Sequence, residues 1–335
     1  SIGGTWEPDV WGRLRAGVTG ARAQAQASAA DLAAATLSAQ GELAINYFNL
    51  REIDAERDLV RQTIEGYQRV LQITQNRFDA GIAAKTDVLQ AQTQLAQTQT
   101  DALGLERQRA QLEHAIAILL GRAPSEFTLA AAPWTVNVPD IPTGVPSTLL
   151  QRRPDIASAE RLVAAANADI GIAQAAYYPS IGLSGSYATG GPSFSDLFSV
   201  SNAVWSLGLS AAQTLFNGGA TRAAVQGATA RQEAAAARYR QTVLTAFGDV
   251  EDQLAATRIL AQQQVLRRQA SDAANLVETQ ILNRYKAGQV SYTEVVQAQA
   301  TALSARRALA QSQADRQTTA VALIQSLGGG WHTAP

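Results

Sequence analysis

The sequence is poor in the residues that most often carry chemistry. Its 335 residues include no Cys, no Met, two His and two Lys. The absence of Cys excludes disulfides and thiol chemistry, and the redox compartment cannot be read from cysteine use. His114 and His332 have no His or Cys nearby in a ligand pattern, and the sequence shows no phosphate-binding glycine loop or catalytic triad spacing. We therefore predict no metal site, no cofactor and no enzymatic activity.

Charge and long apolar runs are lacking as well. The net charge is −1, so the chain has no basic surface for nucleic acid. No apolar run has the length of a transmembrane helix, and no signal-peptide pattern is present. Aromatic residues make up only 6% of the chain, whereas Ala and Gln supply 66 and 33 residues. This composition is typical of long helices rather than of a compact α/β enzyme.

The chain repeats itself at an offset of 207 residues, without a gap. Residues 76–81 (Asn-Arg-Phe-Asp-Ala-Gly) match residues 283–288 (Asn-Arg-Tyr-Lys-Ala-Gly), and residues 86–92 match residues 293–299. Weaker matches about 60 residues upstream have the same offset. The repeat therefore predicts two copies of one long element of fixed length.

Each copy is predicted to be a helical hairpin. Residues 17–80 lack Pro and carry a heptad seam, which consists of Val60, Ile64, Tyr67, Leu71, Thr74 and Phe78. Gly81 and Gly288 should end the outgoing helices, and the return helices should begin near Thr86 and Thr293. The first hairpin is predicted over residues 17–122 with its tip near 81–86. The second is predicted over residues 217–328 with its tip near 288–293.

A third helix and two connecting segments complete the helical part. Residues 123–150 are rich in Pro and are predicted to be a linker. Residues 151–178 are predicted to contain a helix with Pro154 in its first turn. Its length suggests that it stacks end to end with the first return helix along the longer outgoing helix. The linker would then lie at an equator, together with a tail over residues 329–335.

Residues 179–216 are predicted to form a β-hairpin. Two runs of about ten residues alternate apolar with Ser or Gly side chains, which suits lipid on one face and water on the other. A soluble two-stranded appendage would show a similar pattern. Residues 1–11 align by the offset with residues 208–218, so residues 1–16 are predicted to be the end of the equivalent strand in the first repeat. We therefore expect about 56 further residues before Ser1, four strands in a complete chain and about twelve in a barrel of three copies.

The sequence resembles the outer membrane factor (TolC) family, and within it the OprM/NodT-like outer membrane efflux lipoproteins. The resemblance covers essentially the whole chain. It is carried by Gln151-Arg152-Arg153-Pro154-Asp155-Ile156, Ala159-Glu160, residues 164–168 (Ala-Ala-Ala-Asn-Ala), Ile170-Gly171, Tyr178-Pro179 and both Arg-aromatic-x-Ala-Gly tips. It implies a mainly α fold with a β-barrel portion. A long α-helical tunnel and a transmembrane β-barrel would both be completed by homotrimerisation.

The resemblance also implies a cellular location and a function. The trimer would lie in the outer membrane of a Gram-negative bacterium, contact outer-membrane lipid and extend into the periplasm. It would passively export drugs or other small solutes. Its partners would be a periplasmic adaptor (membrane fusion) protein and an inner-membrane pump of the RND type. The lipidated Cys of the family would lie before Ser1.

Family position places a gate at the hairpin tips. The resemblance implies pore or gate roles for Asp87, Glu294 and Tyr285, with the tyrosine bonding a carboxylate across neighbouring coils. Gln297 stands where many relatives have a second Asp, and Val290 where some have a gate Arg, so the constriction should be less acidic. Asp87 and Glu294 could equally be ordinary first-turn helix acids.

The remaining tip residues are candidates for contact with the adaptor: Arg77, Gly81, Lys85, Arg284 and Gly288. Lys85 could equally be solvated, and the Arg and Gly pairs could instead set the shape of the tips. The sequence is compatible with two other functions. A type I protein-secretion channel would share the fold, whereas a periplasmic adaptor or structural coiled-coil protein would lack the amphipathic strand pair.

Overall fold

The fold is mainly helical with one small sheet. The computed structural model describes residues 1–132, 134, 137–139, 152–190 and 203–331. The chain divides into two compact units. The first comprises residues 1–34, 150–245 and 331–335, and the second comprises residues 35–149 and 246–330. The longest helices contribute residues to both units.

Five helices account for most of the described chain. They are α1 (Arg13–Asp79), α2 (Lys85–Leu119), α3 (Pro154–Ala175), α4 (Ala220–Lys286) and α5 (Tyr292–Ser326). Helices α1 and α4 both have 67 residues, and α2 and α5 both have 35. The first and last residues of each pair differ by 207, the offset of the sequence repeat. None of the helices that the structure describes is long and apolar enough to cross a membrane.

Helix α1 begins four residues earlier than the sequence predicts. The Asp9 carboxylate accepts hydrogen bonds from the backbone N–H groups of Leu14 at 2.8 Å and Arg15 at 2.9 Å. These N–H groups have no partner inside the helix, so a side-chain acceptor stabilises the first turn. Asp9 lies several residues before the first turn, whereas a capping side chain usually belongs to the residue directly before the helix.

The heptad seam of α1 is confirmed. Val60, Tyr67 and Thr74 are seven residues apart, and all three are buried. Ile64, Leu71 and Phe78 each follow one of them by four residues and are half-buried. The same arrangement places Val88 and Leu105 of α2 in the buried interior of the second unit. A stripe of this spacing faces the partner helix on every second turn.

In the first unit, α3 packs on the beginning of α1 through small residues. A Cβ added to Gly20 would lie 3.4 Å from Ala168 Cβ, and one added to Gly171 would lie 3.6 Å from Ala16 Cβ. Arg161 of α3 donates a hydrogen bond to Gln26 of α1. The end-to-end stacking of α2 and α3 stays a prediction, because the two helices belong to different units.

The sheet has three antiparallel strands in the order β1 (Ile2–Trp6), β2 (Ser180–Thr189) and β3 (Ala203–Ala212). Its register places apolar side chains opposite one another: Ile2 with Tyr187, Trp6 with Leu183, Leu183 with Leu209 and Tyr187 with Trp205. Ser and Gly occupy most of the alternate positions, and the Ser186 and Ser206 hydroxyls lie 2.9 Å apart. The predicted alternation is therefore present, with one apolar and one polar face.

Several predicted segments lie partly outside the described residues. Most of the linker over residues 123–150 does, as do residues 191–202 between the strands and His332 in the tail. The described part of the linker begins with a 3-10 turn over Pro124–Glu126. Phe127 to Ala132 then follow as irregular chain.

Candidate functional site

The tips of the two hairpins have the same backbone geometry. Gly81 and Gly288 have φ values of 73° and 76°, a conformation that favours glycine. The N–H of Ile82 donates to the Arg77 carbonyl at 2.8 Å, and that of Gln289 donates to the Arg284 carbonyl at 2.9 Å. These bonds satisfy the last carbonyls of α1 and α4. The turns that the sequence predicts at Gly81 and Gly288 are therefore present.

Tyr285 forms the centre of a buried cluster at the tips. Only 2% of its surface is exposed, and it packs with Val70, Ala91, Tyr292 and Val295. Its hydroxyl lies 3.1 Å from the Thr74 hydroxyl, and its ring meets that of Tyr292 edge-on at 5.6 Å. Burial raises the pKa of Tyr292, so that phenol stays neutral. Within one chain, Tyr285 therefore bonds a threonine of the first hairpin rather than a carboxylate.

Arg77 joins the first hairpin to the second. Its Nη1 donates a hydrogen bond of 2.5 Å to the Tyr285 carbonyl, and its guanidinium lies 4.7 Å above the Tyr285 ring. Arg284 occupies the matching position at the end of α4, but its side chain is exposed. The two predicted tip arginines therefore have different surroundings in a single chain.

The two first-turn acids also differ. Glu294 closes a capping box, because its carboxylate accepts the Ser291 N–H at 3.2 Å while the Ser291 side chain caps the N–H of the third helical residue. At the start of α2 the cap residue is Ala84, which has no side-chain acceptor. Asp87 is half-exposed, and its carboxylate forms no hydrogen bond or ion pair with the residues that the structure describes. Its charge is therefore the less neutralised of the two.

The other predicted tip residues lie at the surface. Gln297 is exposed and lines a groove between α4 and α5, together with Arg267 and Thr301. Lys85 is exposed, and its ammonium lies 5.1 Å above the Phe78 ring. Gly81 and Gly288 are exposed at the two turns. Of the predicted adaptor contacts, only Arg77 is directed into the protein.

A buried charge network away from the tips was not predicted. Asp54 Oδ1 accepts from Arg109 Nε at 2.7 Å, and Asp54 Oδ2 accepts from Arg51 Nη1 at 2.9 Å. Arg51 also donates to the Ala130 carbonyl, and Glu113 accepts the N–H of Leu129. These bonds hold the chain that follows α2 against the first hairpin. The sequence feature that could have indicated this network is the dense run of charged residues from Arg51 to Asp58.

Among the acids that the structure describes, Glu52 has the most strongly shifted pKa. Only 5% of its surface is exposed. Burial, with the nearby carboxylates of Glu56 and Asp315, raises the pKa of Glu52 to about 7. Among the described residues, no group of three or more His, Cys, Asp or Glu side chains is arranged to hold a metal ion. Asp54 and Glu113 pair with arginines, whereas Glu52 lies near other carboxylates.

Two long helical hairpins and an exposed sheet with one apolar and one polar face are features of the class of outer-membrane channel proteins. Known proteins give the same result. The sequence pattern of the outer membrane efflux protein family matches residues 1–122 and 145–329. The pyoverdine export outer membrane protein OpmQ of Pseudomonas aeruginosa is 32% identical over 337 residues, which cover 99% of this chain and 70% of OpmQ.

Two further relatives extend this finding. The outer membrane protein OprJ of Pseudomonas aeruginosa is 31% identical over 97% of this chain and 68% of its own length. The solved outer-membrane channel OprN is similar with a TM-score of 0.92 and 33% identity, covering 98% of this chain and 74% of OprN. The chain belongs to the outer membrane efflux protein family.

Family membership confirms three predictions. The resemblance is correct, the protein is an efflux channel protein, and its place is the outer membrane. The family is one of channels rather than of enzymes. The roles of the individual tip residues, the domain boundaries and the assembly stay predictions.

Proposed function

We propose that three copies of this chain close into one tube that spans the outer membrane and continues into the periplasm. The sheet carries this proposal. Trp205, Leu207 and Leu209 on its apolar face are 70–77% exposed, while its other face carries Ser and Gly. Strands β1 and β3 are both edges of the described sheet. An unpaired edge is not viable in lipid, so strands of other copies must continue the sheet.

The helical hairpins supply the periplasmic wall of the tube. The two internal repeats would alternate around the axis, since α1 and α4, and α2 and α5, have equal lengths. A ring of three copies then has six hairpins of nearly one length, closed by cyclic symmetry. The many Ala residues allow close helix packing, and Gln, Ser and Thr give a wet, nearly neutral lumen.

The tips form the gate in this proposal. Asp87, Glu294 and Gln297 would ring the periplasmic aperture in three copies each, with Tyr285 fixing the tip behind them. Crowded carboxylates attract cations into a pore. Asp87 should dominate, because Glu294 already accepts the Ser291 N–H.

Single-channel recording tests the gate. Asp87→Ala should lower cation selectivity more than Glu294→Ala, and the double variant should lower it most. Asp58→Ala removes an exposed acid far along α1 and serves as the matched control. Unchanged selectivity in the double variant would remove both acids from the gate.

Export would be passive, with energy from an inner-membrane pump of the RND type that a periplasmic adaptor connects to the tips. We propose that the adaptor contacts the exposed turn residues Gly81, Lys85 and Gly288, while Arg77 sets the shape of the tip. The names of the relatives describe pyoverdine, solvent, toluene and antibiotic export. Cargoes so different support a lumen that selects little among small solutes.

A further inference from the structure

The two tip arginines raise one question about the assembly. Arg77 and Arg284 occupy the same position in the repeat, at helix ends with the same hydrogen bonds and glycine conformations. Arg77 is bound to the other hairpin of its own chain. Arg284 is exposed and forms no hydrogen bond or ion pair within the part of the chain that the structure describes. The same side chain on the same backbone therefore has a partner in one repeat only.

We infer that Arg284 binds the Phe78 carbonyl and ring of a second copy of this chain, as Arg77 binds Tyr285 within its own. The inference rests on the proposed trimer, in which hairpins alternate around the ring. The first hairpin then contacts the second of its own chain, and the second contacts the first of the next copy. Phe78 is the residue 207 positions before Tyr285, so the repeat maps one contact onto the other.

The Phe78 carbonyl can accept this hydrogen bond from Arg284. The Tyr285 carbonyl accepts both the Gly288 N–H at 2.9 Å and Arg77 Nη1. The Phe78 carbonyl accepts the Gly81 N–H at 2.8 Å and, among the described residues, no side-chain donor. A carbonyl oxygen has two lone pairs, so one acceptor position on Phe78 stays open.

The rings of Tyr285 and Phe78 have similar surroundings. The Tyr285 ring contacts both the Tyr292 ring and the Arg77 guanidinium. Phe78 has Lys85, the repeat counterpart of Tyr292, on one side. The half-buried Phe78 ring can therefore take a guanidinium on its second side.

Two further positions change together in a way that fits the contact. In the first contact, the Thr74 hydroxyl meets the Tyr285 hydroxyl. The counterparts in the second contact are Ile281 and Phe78, so a polar pair is replaced by an apolar pair. Each pair is internally matched, as two buried surfaces in contact must be.

The second contact offers Arg284 a carboxylate that the first contact lacks, in addition to the Lys85 ammonium on the Phe78 ring. Arg77 binds beside Lys286, a like charge. Arg284 would bind beside Asp79, the repeat counterpart of Lys286, whose carboxylate is exposed and accepts only the Gln75 amide among the described residues. The attraction of opposite charges across an interface fixes the register of the copies.

Cysteine cross-linking of the detergent-solubilised channel tests the inference, because the chain has no Cys of its own. The test variant is Arg284→Cys with Asp79→Cys, two exposed positions. The control is Arg77→Cys with Lys286→Cys, the same pair moved by the repeat. A short bismaleimide should link most test chains into dimers and trimers on a denaturing gel. The control should be linked within single chains, and each single-cysteine variant should give no higher bands.

Native mass spectrometry of the same samples separates the two possible failures. A trimer whose test variant gives no links between chains, or only links within a chain, would overturn the Arg284 contact and leave the proposed tube intact. The absence of a trimer would overturn the proposed assembly itself.

Discussion

The two hairpins share their backbone but not the chemistry of their long helices. In the first, residues 51–58 carry six charged side chains, and Arg51, Glu52 and Asp54 are buried. The matching residues 258–265 of the second carry a single charge, Arg258, which is exposed. Charges are thus buried in one repeat, while neutral residues are exposed in the other. The two repeats share the same helix length. Their side chains differ according to the chain that packs on each helix.

The covering element explains the difference. Chain around Leu129 and Ala130 lies on the first hairpin and is held by Arg51, Arg109 and Glu113. The second hairpin keeps both arginines as Arg258 and Arg316, but has Ala261 and Ala320 where Asp54 and Glu113 stand. Asp54 pairs with Arg51 and Arg109 in the first hairpin, and a charge taken out of water usually needs such a partner. The first hairpin therefore binds the chain around Leu129 and Ala130 through charged side chains. The second hairpin binds Trp134 and Asn137 through the neutral side chain of Gln317.

The largest expected effect comes from breaking that network. Asp54→Ala leaves Arg51 and Arg109 buried without their shared carboxylate, which should cost about 3–5 kcal/mol of unfolding free energy. Denaturant unfolding of the purified channel measures the loss.

Arg258→Ala is the matched control, because this repeat counterpart of Arg51 is exposed. It should change the unfolding free energy by less than about 0.5 kcal/mol. Equal losses in Asp54→Ala and Arg258→Ala would show that the two repeats are held alike, against the comparison drawn above.

A second difference should appear in the pH dependence. The pKa of Glu52 is raised to about 7 by burial and by Glu56 and Asp315, against an ordinary value of 4.5. Between these values the folded chain holds a proton that the unfolded chain has lost. Stability should therefore fall as pH rises through this window, by at most about 1.4 kcal/mol per pH unit, and the loss should level off above pH 7.

Glu52→Gln removes the titrating group and should flatten that part of the curve. The surrounding pairs, such as Arg307 with Glu56 at 2.7 Å, stay in place. Ile259, the repeat counterpart of Glu52, has nothing to titrate. A slope that persists unchanged in Glu52→Gln would assign the pH dependence to another group.

Patterns that depend on neighbours along the chain could be predicted from the sequence. Gly81 and Gly288 end helices because the following turn needs positive φ, and the strand alternation follows from side chains pointing to opposite faces. The helix-ending glycines and the strand alternation are both local patterns, and the tip pattern occurs twice because the chain is repeated. Start positions were less accurate, because the cap of α1 comes from Asp9, several residues upstream.

Contacts between distant segments could not be predicted in the same way. Asp54 lies in a charged run that resembles a solvated helix face, and nothing local shows that Leu129 and Ala130 return to cover it. The partner of Tyr285 within the chain is Thr74, 211 residues away. Thr74 could be placed in the heptad seam, but the helix that faces it at this point depends on how the two hairpins meet.

The smallest expected effect concerns the caps at the two tips. Ser291 and Glu294 form a capping box at the start of α5, whereas Ala84 gives α2 no side-chain cap. Ser291→Ala should destabilise the first turn of α5 by about 1 kcal/mol, and Ala84→Ser should stabilise that of α2 by a similar amount. Amide hydrogen exchange in the two first turns should therefore become more alike in either variant. Ser304→Ala, at an exposed position inside α5, serves as the control. If exchange in the first turns is unchanged in both cap variants, packing around Tyr285 alone fixes the tips. The asymmetry between the hairpins would then lie in the Arg51–Asp58 stretch and not at the hairpin tips.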